Sequence, residues 1–294
     1  MRHVYECQMR RADLHGDTIS NVAFVDYLQE ARLDLLRHHN TSPTPNPGEG
    51  LVVVNTVVDY LSPLRLAQAP LSVAVWATQV RAASFALGYE LFTGPPEDPV
   101  VHGRATTTLT PYVFAAERPR RMTAEERERL ESHLGPTPVS DRAAPRGSAV
   151  WAEEGVVERP IHVRFSDVDL LGHVNNLRYL DYAQLAQVDL LVGVFQEARV
   201  NGTVTTVIAR SEIDYVGQMN LRPEPYVVRS RVVAVGDRSA SFEQEVGDPQ
   251  GVGRVMARNR IVEVNVDEHD QPTPWHPTHR DLLEQRMRAA SGQA

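Results

Sequence analysis

Two stretches of the chain are apolar at almost every turn of a 3.6-residue period. "VDYLQEARLDLL" covers residues 25–36 and "LRYLDYAQLAQVDLL" covers residues 177–191. In the second, Leu177, Tyr179, Leu180, Tyr182, Ala183, Leu185 and Ala186 leave few fully polar positions, so the pattern predicts a helix that other elements wrap. Asn21 before the first helix and Asn175-Asn176 before the second can accept from the free amides of a helix start. Runs rich in Val, Thr, Tyr and Phe follow each helix, among them "LSVAVWATQV", "SFALGYELF", "YVVRSRVVAVG" and "RIVEVNV". These residues fit a pleated, half-buried surface and predict strands. "GPPEDPVVHG" and "GDPQGVG" fall between the third and fourth strands of each series and read as hairpin connections. Gly251-Val252-Gly253 precedes a strand and has no helix behind it, so it is a turn and not a phosphate loop.

The pattern occurs twice. Asp26, Tyr27, Ala31 and Asp34 fall on Asp181, Tyr182, Ala186 and Asp189, each pair 155 positions apart, as 27 and 182 are. Asp59-Tyr60 and Leu66 fall on Asp214-Tyr215 and Leu221 at the same spacing. A period this long implies a duplicated domain rather than a solenoid. The expected division is a first domain over 1–135, a Pro-, Gly- and Ala-rich linker over 136–155 and a second domain over 156–294. Charged segments, "TAEERERLESHL" and "PTHRDLLEQRMRAA", close the two copies as helices with solvated faces.

At 294 residues there is room for two domains with a core each. The 42% hydrophobic and 23% charged content is that of a globular chain, and a net charge of −8 disfavours nucleic acid and anionic membranes as partners. Cys7 is the single cysteine and cannot form an internal disulfide. With no apolar leader and no apolar run near the roughly 20 residues of a membrane span, the expectation is a cytoplasmic protein. His269, His276 and His279 lie in a proline-broken stretch that matches no helical metal-ligand spacing, and no metal site is expected there. The basic stretch Arg118 to Arg121 is a possible phosphate contact but more simply a solvated loop.

The densest polar stretch is "SDVDLLGHVNN", residues 166–176, directly before the second helix. Asp167 and Asp169 suit a turn beside the positive end of a helix, and Asn175 and Asn176 suit its cap. A long helix wrapped by an antiparallel sheet, present twice, with D-x-x-G-H-V-N-N at a helix start, resembles the hotdog-fold thioesterases, in particular the 4-hydroxybenzoyl-CoA thioesterase-like and acyl-ACP thioesterase group. The resemblance implies an α+β fold of two tandem hotdog domains paired as an internal pseudo-dimer, with a homodimer of such chains possible. It implies hydrolysis of an acyl-CoA or acyl-carrier-protein thioester without a cofactor. It places the catalytic carboxylate at Asp169, the oxyanion donor at the Asn176 amide and an assisting role at His173, which would polarise water or orient Asp169. Gly172, Val174, Asn175 and Tyr179 would line the substrate. In the plant-type acyl-ACP enzymes the turn reads D-x-N-x-H-V-N-N; here Leu171 replaces the first Asn, which favours a carboxylate-led mechanism.

The first copy has "RADLHGDTISN", one residue shorter, with His15 where Asp169 should be and Thr18 where His173 should be. One working site per chain is therefore expected. Glu30, opposite Leu185 in the repeat, corresponds to a helical glutamate of some relatives and is a candidate accessory, although beside Arg32 it also reads as an ordinary ion-pairing residue. Two rivals remain. A hotdog enoyl-thioester hydratase would carry D-x-N-P-x-H, five positions from Asp to His, whereas Asp169 and His173 are four apart and no proline follows. A non-catalytic acyl-binding or assembly module would keep the fold and lose turnover. The insert "NTSPTPNPGEG", absent from the second copy, could cover a pocket mouth.

Overall fold

The structure is a computed structural model of the chain, and it describes residues 2–38, 48–66, 70–95, 97–140, 143–147, 151–169, 172–200, 204–249 and 254–292. Most of the insert after the first helix, residues 40–47, and the Gly251–Gly253 turn lie outside the described residues. The chain divides into two units, Met1–Asp141 and Arg142–Ala294.

The first unit contains β1 (His3–Cys7), the short hairpin β2 (Leu14–His15) and β3 (Thr18–Ile19), and helix α1 (Asn21–His38). Strands β4 (Glu49–Tyr60), β5 (Leu71–Val80), β6 (Phe85–Thr93) and β7 (Val100–Val113) follow, then β8 (Arg118–Pro119) and α2 (Ala124–Glu131). Its sheet is antiparallel throughout, in the order β1-β5-β6-β7-β4. The second unit repeats the plan with β9 (Val157–Ile161), α3 (Asn176–Ala198), β10 (Thr205–Tyr215), β11 (Tyr226–Val235), β12 (Ser239–Gly247), β13 (Val255–Val266) and α4 (Pro277–Ala290). Its sheet order is β9-β11-β12-β13-β10, again antiparallel.

The copies match down to their irregularities. β4 bulges between Val53 and Asn55 and β10 between Ile208 and Arg210; β5 bulges between Ala77 and Gln79 and β11 between Val232 and Ala234. Each pair keeps the 155-residue spacing, so inward and outward positions also correspond.

The core of each unit lies between helix and sheet. Phe24, Leu28, Ala31 and Leu35 supply the inner side of α1, while Leu87, Leu91 and Leu109 are buried on the strands. In the second unit Leu190, Leu191 and Val194 of α3 pack with Val232, Phe242, Ile261, Trp275 and Leu283. Burying each such side chain contributes about 1.5–3 kcal/mol. The expectation of a helix covered all round needs correction: Leu185, Val188 and Val192 of α3 are 46%, 49% and 43% exposed. The sheet covers one side of α3, and these three, spaced for one stripe, fall on the other.

The Pro- and Gly-rich joint is held at both ends rather than free. Gly135 N–H donates to the Ala77 carbonyl at 2.8 Å, and Trp76 Nε1 donates to the Pro136 carbonyl at 2.8 Å. Ala144 N–H donates to Glu212 at 2.8 Å, and Arg231 stacks over Trp151. α2 starts with a capping box, Thr123 and Glu126 exchanging bonds with each other's amides. No helix among the described residues is long and apolar enough to cross a membrane.

Candidate active site

In the second unit the polar turn is a small hairpin that feeds the helix. Val168 bridges Val174, the Asp169 amide donates to the His173 carbonyl at 2.8 Å, and His173 in turn bridges Asn220. Gly172 has φ +79, in the left-handed region, and a Cβ there would meet nothing within 4 Å. Glycine is required at this place by backbone conformation and not by crowding. Val174 is buried and its amide donates to the Met219 carbonyl at 2.9 Å, which fixes the hairpin to the loop before β11.

The helix start follows from the cap. The Asn175 side chain accepts from the Leu177 amide at 3.0 Å, making Asn175 the N-cap and Asn176 the first helical residue. The Asn176 amide makes no hydrogen bond among the described residues, while its carbonyl accepts from the Tyr215 hydroxyl at 3.2 Å. An open amide at the positive end of a 23-residue helix is a donor available to an anion. In the first copy the cap is Ser20, whose hydroxyl accepts from the Ala23 amide at 3.1 Å; Asn21, the expected cap, is already helical.

Asp169 is exposed at the hairpin, and its Oδ1 accepts from the His173 amide at 3.1 Å. The bridge places it directly across from His173, seven residues before Asn176. Asp167 plays a different part. It is 7% exposed, and its carboxylate accepts from the Arg164 amide at 2.8 Å and the Tyr182 hydroxyl at 2.8 Å and faces Arg178 at 3.4 Å. The first copy repeats this tie: Asp13 accepts from the Arg10 amide at 2.8 Å and the Tyr27 hydroxyl at 2.6 Å. Burial, and after it the bonds to these carboxylates, raise both phenols well above the usual tyrosine value. Tyr27 and Tyr182 thus recur because each staples its turn to its helix. Asp167→Ala is expected to lower stability by about 2–3 kcal/mol, the scale of lost hydrogen bonds to a buried charge, with only a small share from the half-exposed Arg178. Urea unfolding of that variant beside Asp13→Ala, which should behave alike, checks it.

Tyr179, expected against substrate, is buried. Its hydroxyl accepts from the Met219 amide at 2.8 Å and donates to the Gly217 carbonyl at 3.3 Å, and burial pushes the phenol up to about 12. Its polar end is committed to the loop. Glu30 is exposed on α1, and after burial its charge is the next cause that raises Tyr5 and Cys7, while Arg32 turns into the core, so the two are not an ordinary ion pair. Cys7 is buried, its thiol donating to the Leu71 carbonyl at 3.5 Å, and desolvation pushes it up to about 12, which leaves little thiolate for chemistry.

The equivalent hairpin of the first copy pairs His15 with Thr18 and Leu14 with Ile19, in the register of Asp169 with His173 and Val168 with Val174. Its carboxylate is replaced by an imidazole, and the nearby Asp17 is drawn to Arg65 at 3.1 Å. His276 caps α4 and stands edge-on to the buried His279, which packs on Phe195; among the described residues no group of three His, Cys, Asp or Glu is placed to hold a metal ion. In the basic stretch, Arg120 is bound to Glu49 at 2.7 Å and Glu126 at 2.8 Å.

The family model described as "Thioesterase-like superfamily" matches this chain twice, over residues 8–130 and 163–284. The chain belongs to the thioesterase-like superfamily. Each match takes in one hairpin, one central helix and the four long strands after it, so both copies carry the superfamily's fold. Among solved structures, a putative oleoyl thioesterase from Lactobacillus plantarum superposes with a TM-score of 0.72 at 15% identity, covering 91% of this chain and 98% of that one. A 12:0-ACP thioesterase from Umbellularia californica gives 0.69 at 16% identity, with 90% and 97% covered. An acyl-ACP thioesterase from Bacteroides thetaiotaomicron VPI-5482 gives 0.65 at 13% identity, with 89% and 97% covered. At these identities the likeness is one of fold: two tandem hotdog domains run through the whole thioesterase-like chain. No curated protein matches it.

Proposed function

We propose that this member of the superfamily hydrolyses an acyl thioester carried on CoA or on an acyl-carrier protein, at the hairpin and helix start of its second unit. The observation that carries this reading is the open Asn176 amide at the first position of α3, preceded by a hairpin that presents the exposed carboxylate of Asp169. A thioester carbonyl seated against the Asn176 N–H at about 2.7–3.1 Å would have its developing negative charge stabilised by that amide and by the helix pole behind it. Asp169 then takes a proton from water as the water oxygen bonds to the carbonyl carbon, or attacks that carbon itself to form a mixed anhydride that water then hydrolyses, restoring the carboxylate. When the C–S bond breaks, the electron pair leaves with sulfur, and the proton held by Asp169 in the general-base route passes to the thiolate. His173, across the hairpin, orients the carboxylate or the water. The thioesterase names of the structural relatives favour acyl-thioester substrates over other esters.

Thiol release from a panel of acyl-CoA and acyl-carrier-protein thioesters, followed with a thiol-reactive dye, tests the proposal. Stoichiometric release of thiol and free acid is expected for at least one acyl group. Loss of enoyl-CoA absorbance without thiol release would assign a hydratase instead. Tight acyl-CoA binding without turnover at any chain length would make the protein a binding module.

A further inference from the structure

The hairpin of the second unit leans on one loop, residues 217–220, between β10 and β11. Its contact is the peptide joining Met219 to Asn220: the Met219 carbonyl accepts from the Val174 amide at 2.9 Å, and Asn220 is the residue that bridges His173. Two tyrosine hydroxyls hold this loop in turn. Tyr226, at the start of β11, accepts from the Asn220 amide at 3.0 Å and donates to the Asn220 carbonyl at 3.2 Å. Tyr179 of α3 accepts from the Met219 amide and donates to the Gly217 carbonyl. Because a peptide unit is planar, the bond to the Asn220 amide also sets the direction of the Met219 carbonyl on which the hairpin rests. Both tyrosines are buried, at 3% and 2% exposure, and the Arg222 guanidinium lies over the Tyr226 ring at 3.6 Å.

The first unit shows which of these bonds the fold needs. Its hairpin leans on its own loop in the same way, the Ile19 amide donating to the Leu64 carbonyl at 2.7 Å and Thr18 bridging Arg65. Tyr60 and Tyr27 keep the ties that Tyr215 and Tyr182 make, at the 155-residue spacing. The two loop clamps do not recur: Phe24 stands for Tyr179 and Leu71 for Tyr226. The correspondence holds in space. Phe24 meets Tyr60 edge-on at 5.0 Å as Tyr179 meets Tyr215 at 5.6 Å, and Leu71 pairs with Cys7 as Tyr226 pairs with Ile161. Apolar bulk is kept at both places and the hydroxyl at neither. The first loop is held by another device, Ser62 against His102 at 3.0 Å and His102 against Thr93 at 2.9 Å. The hydroxyl clamps go with the copy that carries Asp169 and His173, and the fold forms without them.

We propose that Tyr179 and Tyr226 are positioning residues for hydrolysis at this site: by fixing the 217–220 loop, their hydroxyls hold the hairpin so that Asp169 and His173 keep their place before the Asn176 amide. The inference rests on the thioesterase reading of the second unit. Both hydroxyls are committed to the loop, so their loss should slow turnover and leave substrate binding nearly as it was.

Steady-state kinetics on the best acyl thioester, at a temperature where every variant is folded, test it. Tyr226→Phe and Tyr179→Phe are each expected to lower kcat about 10- to 100-fold with KM within about twofold, the scale of a misplaced catalytic group. Amide exchange at Met219 and Asn220 should quicken in the same variants. Tyr27→Phe, which removes a buried hydroxyl tie of the first unit, should lower the melting temperature at least as much and leave kcat unchanged. Normal kcat in either Phe variant, or unchanged exchange at both amides, overturns the positioning role; with Asp169→Asn inactive, the thioesterase reading still stands. A kcat that falls only in step with melting temperature, Tyr27→Phe included, makes the role purely structural and overturns the proposal as well. A chain that turns over no acyl thioester, or Asp169→Asn with normal turnover, overturns the reading itself and this inference with it.

Discussion

Replacing Asp169 with asparagine is expected to lower the turnover of the best thioester by about 10²–10⁴, equivalent to raising the barrier by roughly 3–5 kcal/mol, with KM and stability near those of the unmodified chain. The selectivity of this loss follows from where Asp169 sits. It is exposed, and the bond its side chain accepts from the His173 amide at 3.1 Å can be accepted equally well by the Asn oxygen. The negative charge and the basic lone pair disappear. Asp167 provides the contrast: two residues away, it is buried and bonded on several sides, so its removal should destabilise rather than disarm. Steady-state kinetics and urea melts on both variants separate a chemical from a structural carboxylate. Asp169→Asn releasing thiol at the normal rate would remove Asp169 from the mechanism.

Glu263→Gln is expected to stabilise the protein by about 3 kcal/mol at pH 8 and not at all near pH 4. Desolvation is the first cause: complete burial holds the Glu263 carboxyl at about 7 against an ordinary 4.5, and approach of Thr206 and Gln187 offsets only part of the rise. Between those two values the unfolded chain has lost the proton and the folded chain keeps it, so raising the pH favours unfolding. Stability attributable to this group is full below about 4.5, falls as pH rises to about 7 and is level beyond. Other groups titrate in the same range, so the quantity to measure is the difference in unfolding free energy between Glu263→Gln and the unmodified chain across pH 4–9. A difference that does not grow between those limits would mean that Glu263 is ionised in the fold at little cost.

The duplication and the tandem fold were legible because the repeated residues are those the fold uses most. Tyr27 and Tyr182 hold turn acids, and Tyr60 and Tyr215 donate to the carbonyls at the two helix starts. The hairpin with Asp169, His173 and the Asn175 cap could likewise be read from eleven residues, since turn, glycine and cap are local. Burial across the sheet was not legible. In "RIVEVNV" alternation suggests that the valines face inward, yet Val262 and Val264 are half-exposed while Ile261, Glu263 and Asn265 are buried. Strand pattern fixes which residues share a face and not which face meets the helix. The same gap concealed Arg32, whose sequence neighbour Glu30 suggested a surface pair. It also hid the bonds by which the Tyr179 hydroxyl holds the loop at Gly217 and Met219.

The matched bulges have an evolutionary corollary. Because both copies break their strands at corresponding points, a side chain transferred between strand or helix positions 155 apart arrives on the same inward or outward face, and interiors can be swapped by substitution alone. The hairpin is the exception. Between His15 and Thr18 lie two residues, and between Asp169 and His173 three, so writing Asp at position 15 would not restore the longer connection. The difference in length is closed only by an insertion or deletion, a far rarer event than point change, so substitutions alone do not turn one hairpin into the other.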